Sequence, residues 1–374
     1  MADSPLPEPD RTDGAPHPRE TLALYGQSTA EAAFLTAYTA GRLHSGWLIT
    51  GPQGVGKATL AYRIAGFLLA EQPPGDGLFG APPPPETLSI PSDSTDARLI
   101  RAGSHPRLFI LRRGPNTTGD KLSQVISVEQ ARELKKFFQL SAADGGRRVV
   151  IIDSADEMNP SAANAILKVL EEPPAKTTLL LISHRPSGLL PTIRSRCREL
   201  RCANLTSADL ELALTGAGIT TSATDALAAL AGGSTGTAIR LQQQDGLALY
   251  AELVRLFSAL PRMDRTLALK LADACAGRGA EGRFALTLDL IDIFLSRTAR
   301  AGLLGAPDVQ GALGEARLLA RLSPHDHAAR RWAQVQSDIS ARARAGRAVN
   351  LDPAALILDM LFAIEATARS AAAA

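Results

Sequence analysis

The sequence predicts an α/β domain, with a parallel sheet covered on both faces by helices, followed by an entirely helical region. Three observations lead to this fold class. A glycine-rich segment, GPQGVGKA at 51–58, stands between a short apolar run and a helical pattern. Continuously apolar runs alternate with helical patterns up to about Ala203, which is typical of strands buried on both faces. After that point strand-like runs disappear.

The predicted elements follow this alternation from the N-terminus. Residues 1–18 are polar and proline-rich and are expected to form a disordered tail. Apolar runs predict five strands: Trp47–Thr50, Leu108–Leu111, Val149–Ile152, Thr177–Ser183 and about Arg198–Cys202. Helical spacing and end signals predict four helices among them: about Glu20–Leu43, Lys57–Glu71, Ser127–Leu140 and Pro160–Glu172. The stretch 72–96, rich in Pro, Gly and Ser, is predicted to be a loop.

The chain length of 374 residues is enough for two or three domains of roughly 100–200 residues each. After the tail of residues 1–18, residues 19–202 are predicted to form the α/β domain. The helical remainder is divided near residues 242–246 into a small domain, 203–245, and a larger one, 246–374.

The composition indicates a folded protein without a special charge class. Hydrophobic residues make up 45% and charged residues 21%, and a net charge of +2 indicates neither a nucleic-acid binder nor an acidic tail. Three cysteines without a CxxC pair favour reduced thiols over a disulfide framework. The N-terminus lacks the apolar core of a signal peptide, and no apolar run approaches the roughly 18–20 residues that span a membrane. We therefore expect a cytoplasmic protein.

The segment 51–58 fits the phosphate-binding pattern GxxxxGK[ST] except at its last position. In this pattern backbone N–H groups surround phosphate oxygens, the lysine contacts the outer phosphates and the final hydroxyl binds Mg²⁺. Ala58 replaces that hydroxyl, and the next side chain is turned by about 100° along the helix. A chance glycine turn is the alternative, which the complete strand–loop–helix context disfavours. The residues expected around a bound phosphate are Gly51, Gly54, Val55, Gly56, Lys57, Ala58 and Thr59.

A second candidate follows the third predicted strand. Asp153 stands where P-loop ATPases place the carboxylate that organises Mg²⁺ and its waters. Many of these enzymes carry a glutamate next to it, which polarises the attacking water, whereas this chain carries Ser154. Asp153 is therefore a candidate for residual Mg²⁺ binding, and a turn or helix-capping aspartate is the alternative.

Several runs resemble one family, the AAA+ clamp-loader subunits of bacterial DNA polymerase III. The similar runs, in the same order and spacing, are Gly26-Gln27, GRLHSGWLITGPQGVGKATLA at 41–61, NAILKVLEEPP at 164–174 and TIRSRC at 192–197. The likeness is strong over about residues 20–245 and general beyond them. It implies an AAA+ P-loop domain over 19–202, a helical lid domain over 203–245 and an all-α collar domain for oligomerisation over 246–374.

The Ser-Arg-Cys run is the most specific of these similarities. In the family its arginine, here Arg196, points out of its own subunit and contacts the γ-phosphate in the neighbour's site. A guanidinium suits this role because it is permanently charged and forks onto phosphate oxygens. The resemblance implies that Arg196 is an arginine finger acting in trans, whereas surface charge is the favoured interpretation of Arg194 and Arg198.

Three departures from the hydrolysing members of the family agree with one another. Ala58 lacks the hydroxyl, Ser154 replaces the glutamate, and the stretch 233–236 lacks the arginine of the family's Gly-Ser-x-Arg sequence. We therefore expect that any ATP or ADP bound here is not turned over efficiently. No zinc is predicted, because the region 72–106, where relatives often carry a four-cysteine module, contains no cysteine.

The resemblance implies an accessory subunit of a DNA-directed DNA polymerase complex, with its own ATP hydrolysis absent or weak. The implied partners are gamma/tau ATPase subunits and a delta subunit in a heteropentamer, with the sliding clamp and primer–template DNA reached through the assembled loader. Two alternatives stay open: an active AAA+ motor of the gamma/tau or branch-migration type, and a sensor that binds nucleotide for assembly or stability.

Two weaker features are interpreted as structural. His184 follows the fourth strand at the place of a phosphate-sensing residue in hydrolysing relatives. Five arginines around an amphipathic stretch are interpreted as a solvated helix face, with a DNA or partner contact as the alternative: Arg330, Arg331, Arg342, Arg344 and Arg347.

Overall fold

The computed structural model describes residues 8–21, 23–70, 84–116, 118–119, 121–140 and 145–372. The predicted N-terminal tail and the predicted loop 72–96 therefore lie partly outside the described residues. The chain forms two compact units, one of residues 1–220 with 233–236 and the other of 221–232 with 237–374. The division at residues 18, 202 and 245 stays a prediction.

The first unit is built on a sheet of five parallel strands in the order β2-β3-β4-β1-β5. The strands are β1 Gly46–Thr50, β2 Leu108–Leu111, β3 Arg148–Ile152, β4 Thr177–Ser183 and β5 Arg198–Arg201. Each lies within one residue of its predicted bounds. The two central strands, β1 and β4, are buried along their whole length, as expected when helices cover both faces. The predicted α/β class is thereby confirmed.

Seven helices accompany the sheet within the described part of this unit: α1 Ser28–Thr39, α2 Lys57–Leu69, α3 Thr95–Arg101, α4 Val128–Leu140, α5 Pro160–Glu171, α6 Pro191–Arg194 and α7 Ser207–Gly216. The first is shorter than predicted, because Gly26 and Gly41 adopt left-handed conformations that interrupt helical geometry on either side of it. The third was not predicted. It begins where the Ser94 side chain accepts a hydrogen bond from the Ala97 N–H, a cap hidden in a Pro- and Ser-rich stretch.

One face of the sheet packs against α4, α5 and α6. Strand residues such as Val150, Ile152 and Leu181 join a buried cluster with helix residues such as Leu134 and Ile166. Alternate residues of the same strands point to the other face, where α2 is buried along most of its length. The core therefore fixes the positions of the strand ends, from which the candidate site is built.

The remaining helices confirm the predicted all-α C-terminal region. They are α8 Thr224–Ala231, α9 Thr235–Gln243, α10 Gly246–Ser258, α11 Arg265–Asp273, α12 Glu281–Leu304, α13 Glu315–Leu322, α14 Asp326–Ala348 and α15 Pro353–Ala372. Within the second unit, α12 packs along α14, and α15 packs on α11 and α14. None of the helices described here is long and apolar enough to cross a membrane.

Residues 8–18 differ from the predicted disordered tail. His17 is fully buried, with its ring edge-on to Tyr62 at 5.8 Å between centroids. The Asp10 carboxylate pairs with the His17 ring at 3.2 Å and with the Arg112 guanidinium. Low hydrophobicity alone suggested disorder, but charged partners distant in sequence hold this segment, and composition cannot reveal them.

Candidate functional site

The glycine segment forms a tight loop between β1 and α2, as the phosphate-binding pattern requires. Gly54 and Gly56 have φ values of +77° and +99°, in the region that favours glycine. A Cβ on Gly54 would collide with the Ser234 hydroxyl, and the Gly236 N–H donates to the Gly54 carbonyl at 3.2 Å. The loop leads into the N-terminus of α2, where N–H groups without intrahelical partners favour an anion.

Gln27 ties this loop to the chain that follows β5. Its side-chain amide donates to the carbonyl oxygens of Val55, at 3.0 Å, and Ala203, at 2.9 Å. Its side-chain oxygen accepts from the Ala203 N–H at 2.9 Å. The residue is 2% exposed, so these bonds are largely shielded from water. Gly26-Gln27 was one of the runs that resemble the family, but the sequence predicted no contact for Gln27.

Lys57 is buried and hydrogen-bonded to its own loop. Its Nζ donates to the carbonyl oxygens of Gly51 and Pro52, at 2.7 and 2.5 Å. Burial lowers the pKa of Lys57 to about 8, against the opposing influence of the Asp153 and Asp156 charges. Phosphate oxygens accept hydrogen bonds from an ammonium more strongly than neutral carbonyls do, so the amine can exchange its acceptors for a phosphate.

Position 58, where the phosphate-binding pattern has a hydroxyl, lies at the start of α2. Ala58 is half-buried there, and the neighbouring Thr59 is 9% exposed. Val55, between the two glycines of the loop, is 1% exposed and anchors the loop in the core. The loop therefore keeps the backbone shape of a phosphate site without the oxygen that would bind Mg²⁺ at position 58.

Asp153 follows β3 at the carboxyl edge of the sheet. Its backbone N–H donates to the Leu111 carbonyl at 2.9 Å, and its carboxylate accepts from the Ser154 hydroxyl at 3.3 Å. Burial raises the pKa of Asp153 to about 7, and the charge of Asp10 adds to this effect. The Asp153 carboxyl is therefore partly protonated at neutral pH. No group of three or more His, Cys, Asp or Glu among the described residues is arranged to hold a metal ion.

Ser154 is hydrogen-bonded to His184. The Ser154 hydroxyl and His184 Nε2 are 3.0 Å apart, and the His184 backbone N–H lies 3.1 and 3.2 Å from the two Asp156 oxygens. Burial and the charge of Lys57 lower the pKa of His184 to about 4, so its ring is neutral. The Ser154 side chain is thus hydrogen-bonded to a neutral ring and does not present a free oxygen to the glycine loop.

Arg196 lies on the surface just beyond α6, and its side chain is 38% exposed. Its Nη2 is 2.9 Å from Glu171 Oε1, and its Nη1 donates to the Thr192 carbonyl at 3.0 Å. The neighbouring arginines differ from it. Arg194 is exposed, and the Arg198 guanidinium lies over the Trp47 ring at 5.4 Å from its centroid.

The candidate residues lie at opposite ends of the parallel strands. Lys57, Asp153 and His184 all follow the carboxyl ends of strands, and Lys57 interacts electrostatically with the other two. Arg196 instead precedes β5, whose Arg198 pairs with Trp47 near the start of β1. The Arg196 carbonyl lies beside Gly46, the first residue of β1, and Gly51 follows roughly 17 Å further along the strand direction at the usual rise per residue. Arg196 therefore cannot reach the chain's own glycine loop.

The stretch 233–236 contributes a backbone N–H to the glycine loop, and the next arginine along the chain is engaged elsewhere. Arg240 pairs with Asp289 at 2.9 Å within the second unit. Sequence reasoning missed the contacts of Gln27, Glu171 and Asp10. The first two stand in runs that carried the resemblance, which was the available signal, whereas nothing in the local sequence pointed to Asp10.

Comparison with known proteins shows similarity to subunits of DNA polymerase III. Residues 26–206 match the family described as "DNA polymerase III, delta subunit". The chain is 40% identical over 224 residues to DNA polymerase III subunit delta' of Pseudomonas aeruginosa, covering 59% of this chain and 60% of that protein. It is 36% identical over 166 residues to subunit delta' of Escherichia coli, covering 44% of each.

A tau subunit is a more distant relative. DNA polymerase III subunit tau of Salmonella typhimurium is 29% identical over 182 residues, which is 49% of this chain and 25% of that protein. The chain thus spans less than two thirds of the length of these relatives. Over the matched residues, which include the glycine loop and the Ser-Arg-Cys run, the chain is similar to delta-prime subunits of DNA polymerase III.

Proposed function

We propose that this chain is an accessory subunit of a clamp loader and lends Arg196 to the ATP site of a neighbouring subunit. The observation that carries the proposal is the position of Arg196, exposed at the edge of the sheet opposite the chain's own glycine loop. A guanidinium there is available to a neighbour and out of reach of its own phosphate site. The similarity to a tau subunit supports a place among related subunits of one assembly.

The chain's own glycine loop is proposed to bind ATP or ADP without efficient turnover. Ala58 offers no oxygen to Mg²⁺, and Ser154, in the place of the glutamate, is engaged by His184. The stretch 233–236 brings a backbone N–H to Gly54 and no arginine. These three features support a site that holds phosphate but lacks the groups that activate water.

The assembly that fits this role is a cytoplasmic heteropentamer. The chain would sit beside gamma/tau ATPase subunits and a delta subunit, with its C-terminal helices forming part of a collar. ATP binding by the neighbours would tighten the ring, and the assembled loader would open a sliding clamp and place it on primer–template DNA.

The test is the ATPase rate of a loader reconstituted with clamp and primed DNA. Arg196→Ala is expected to lower turnover at the site it serves by roughly 10³-fold or more, as for other arginine fingers. Arg194→Ala, an exposed arginine two residues away, is the matched control and should leave the rate unchanged. An Arg196→Ala loader that assembles and hydrolyses ATP normally would refute the proposal.

The second candidate function is an active motor, which the intact loop glycines and Lys57 favour. It requires ATP turnover by the isolated chain, stimulated by DNA and abolished by Lys57→Ala. Turnover of that kind would replace the accessory role. Nucleotide binding without turnover fits the accessory role and also a sensor role.

A further inference from the structure

Two fixed acceptors hold the guanidinium of Arg196. The Glu171 carboxylate takes Nη2 at 2.9 Å, and the Thr192 carbonyl takes Nη1 at 3.0 Å. Glu171 is the last residue of α5, and Thr192 lies within α6. Arginine has five N–H donors, so these contacts leave Nε–H and further N–H groups for another anion.

The segments that carry these groups both pack against Gly46 at the start of β1. A Cβ added to Gly46 would lie 2.7 Å from Leu170 Cδ2 and 3.2 Å from the Arg196 carbonyl oxygen. The end of α5 and the turn after α6 are thus both packed against Gly46, which has no side chain to separate them. Leu170 and Ile193 are 5% and 0% exposed, so the core holds both segments. The backbone positions of Glu171 and Arg196 relative to one another are therefore set by packed segments, which keeps the two side chains within reach of each other.

The ion pair contributes little to folding. The Glu171 and Arg196 side chains are 43% and 38% exposed, and pairs of this kind have small effects on stability. The ion pair instead affects the orientation of the arginine side chain. A long arginine side chain has many rotamers, and bonding at two points reduces that freedom before a phosphate arrives.

We propose that Glu171 is a positioning residue for Arg196: it orients the guanidinium so that its remaining N–H groups face the neighbour's phosphate. This inference rests on the proposed function, because it gives Glu171 a role only if Arg196 acts in trans. If the Glu171 carboxylate instead held Arg196 back from the phosphate, its removal would raise kcat. The direction of the change in kcat therefore distinguishes the two roles.

The test uses the full chain in the reconstituted loader, with kcat and KM for ATP measured separately. Glu171→Ala is expected to lower kcat at the site that Arg196 serves about 3- to 10-fold, the cost of ordering one free side chain, with KM and assembly unchanged. Glu171→Gln keeps the size and one acceptor oxygen, so it should fall between wild type and Glu171→Ala. The matched control is Glu172→Ala, the adjacent exposed glutamate, which should match wild type.

A double variant separates this inference from the proposed function. Glu171→Ala should slow an Arg196→Ala loader no further, because its effect passes through Arg196. If Arg196→Ala alone has no effect, the proposed function itself fails. If Arg196→Ala slows the loader but Glu171→Ala matches Glu172→Ala or speeds turnover, Glu171 does not position the finger. An equal slowing by Glu171→Ala in the Arg196→Ala background overturns the inference in the same way.

Discussion

The Nζ of Lys57 lies 2.7 Å from the carbonyl oxygen of Gly51, so the lysine of the glycine loop is bonded to the loop itself. A nucleotide would replace these neutral acceptors with charged phosphate oxygens. We expect the full chain to bind ADP and Lys57→Ala to weaken binding about 10- to 100-fold, the cost of a hydrogen bond to a charged group. Titration with a fluorescent ADP analogue measures this. The exposed Lys168→Ala is the control, and equal affinity in both variants would contradict the prediction.

Ala58→Thr should make nucleotide binding depend on Mg²⁺. The added hydroxyl takes the place of the metal ligand in the phosphate-binding pattern. We expect the variant to bind ATP several-fold more tightly with Mg²⁺ than with a chelator, whereas the wild-type chain shows little difference. Calorimetric titrations under both conditions decide the point. A variant that responds to Mg²⁺ no more than the wild-type chain would show that the loop does not place position 58 at the phosphates.

The raised pKa of Asp153 predicts a pH dependence of stability. Its pKa rises from an ordinary 3.8 to about 7 on folding, mainly through burial, so the folded state binds more protons between these values. The stabilisation from this group is complete below about pH 4 and is lost as the pH rises through about 7. Asp153→Asn removes this pH-dependent loss of stability, because the amide does not titrate. Urea unfolding should show the variant gaining free energy of unfolding, relative to wild type, from pH 5 to pH 8. A constant difference across this range would contradict the pKa shift.

The second unit contains a buried carboxylate whose removal should be costly. Glu315 is fully buried and accepts hydrogen bonds at 2.6 Å each from the Tyr250 hydroxyl, Arg297 Nε and the Gly311 N–H. Glu315→Ala leaves these donors, including a charge, without their acceptor. We expect a loss of about 3–5 kcal/mol in the free energy of unfolding.

The control for Glu315 is an exposed ion pair in the same unit. Glu252 lies 3.3 Å from Arg283, and both side chains are about half exposed. Glu252→Ala should cost about 0–1 kcal/mol. Denaturant unfolding measures both variants, and similar losses for the two would show that the buried network is not specially stabilising.

Local sequence patterns were enough for the strands and the glycine loop. A buried parallel strand is apolar on both faces, so its residues form a continuous run, and the loop glycines are required by backbone conformations that other residues rarely adopt. The helix at Thr95–Arg101 escaped notice because its cap, Ser94, stands among turn-forming residues. The ordered segment around His17 escaped notice because its partners, such as Arg112, are distant in the chain.

The sequence by itself determined the order of strands, loop and helices, the loss of the hydroxyl at Ala58 and the presence of a Ser-Arg-Cys run. These features are local, since each depends on residue types at short spacing. Only the tertiary structure decided that Arg196 lies at the opposite edge of the sheet from Lys57 and that Glu171 holds it. The parallel pairing of β5 with β1 brings distant residues together, and so does the packing of α5 and of the turn after α6 against Gly46. No short-range pattern encodes such contacts.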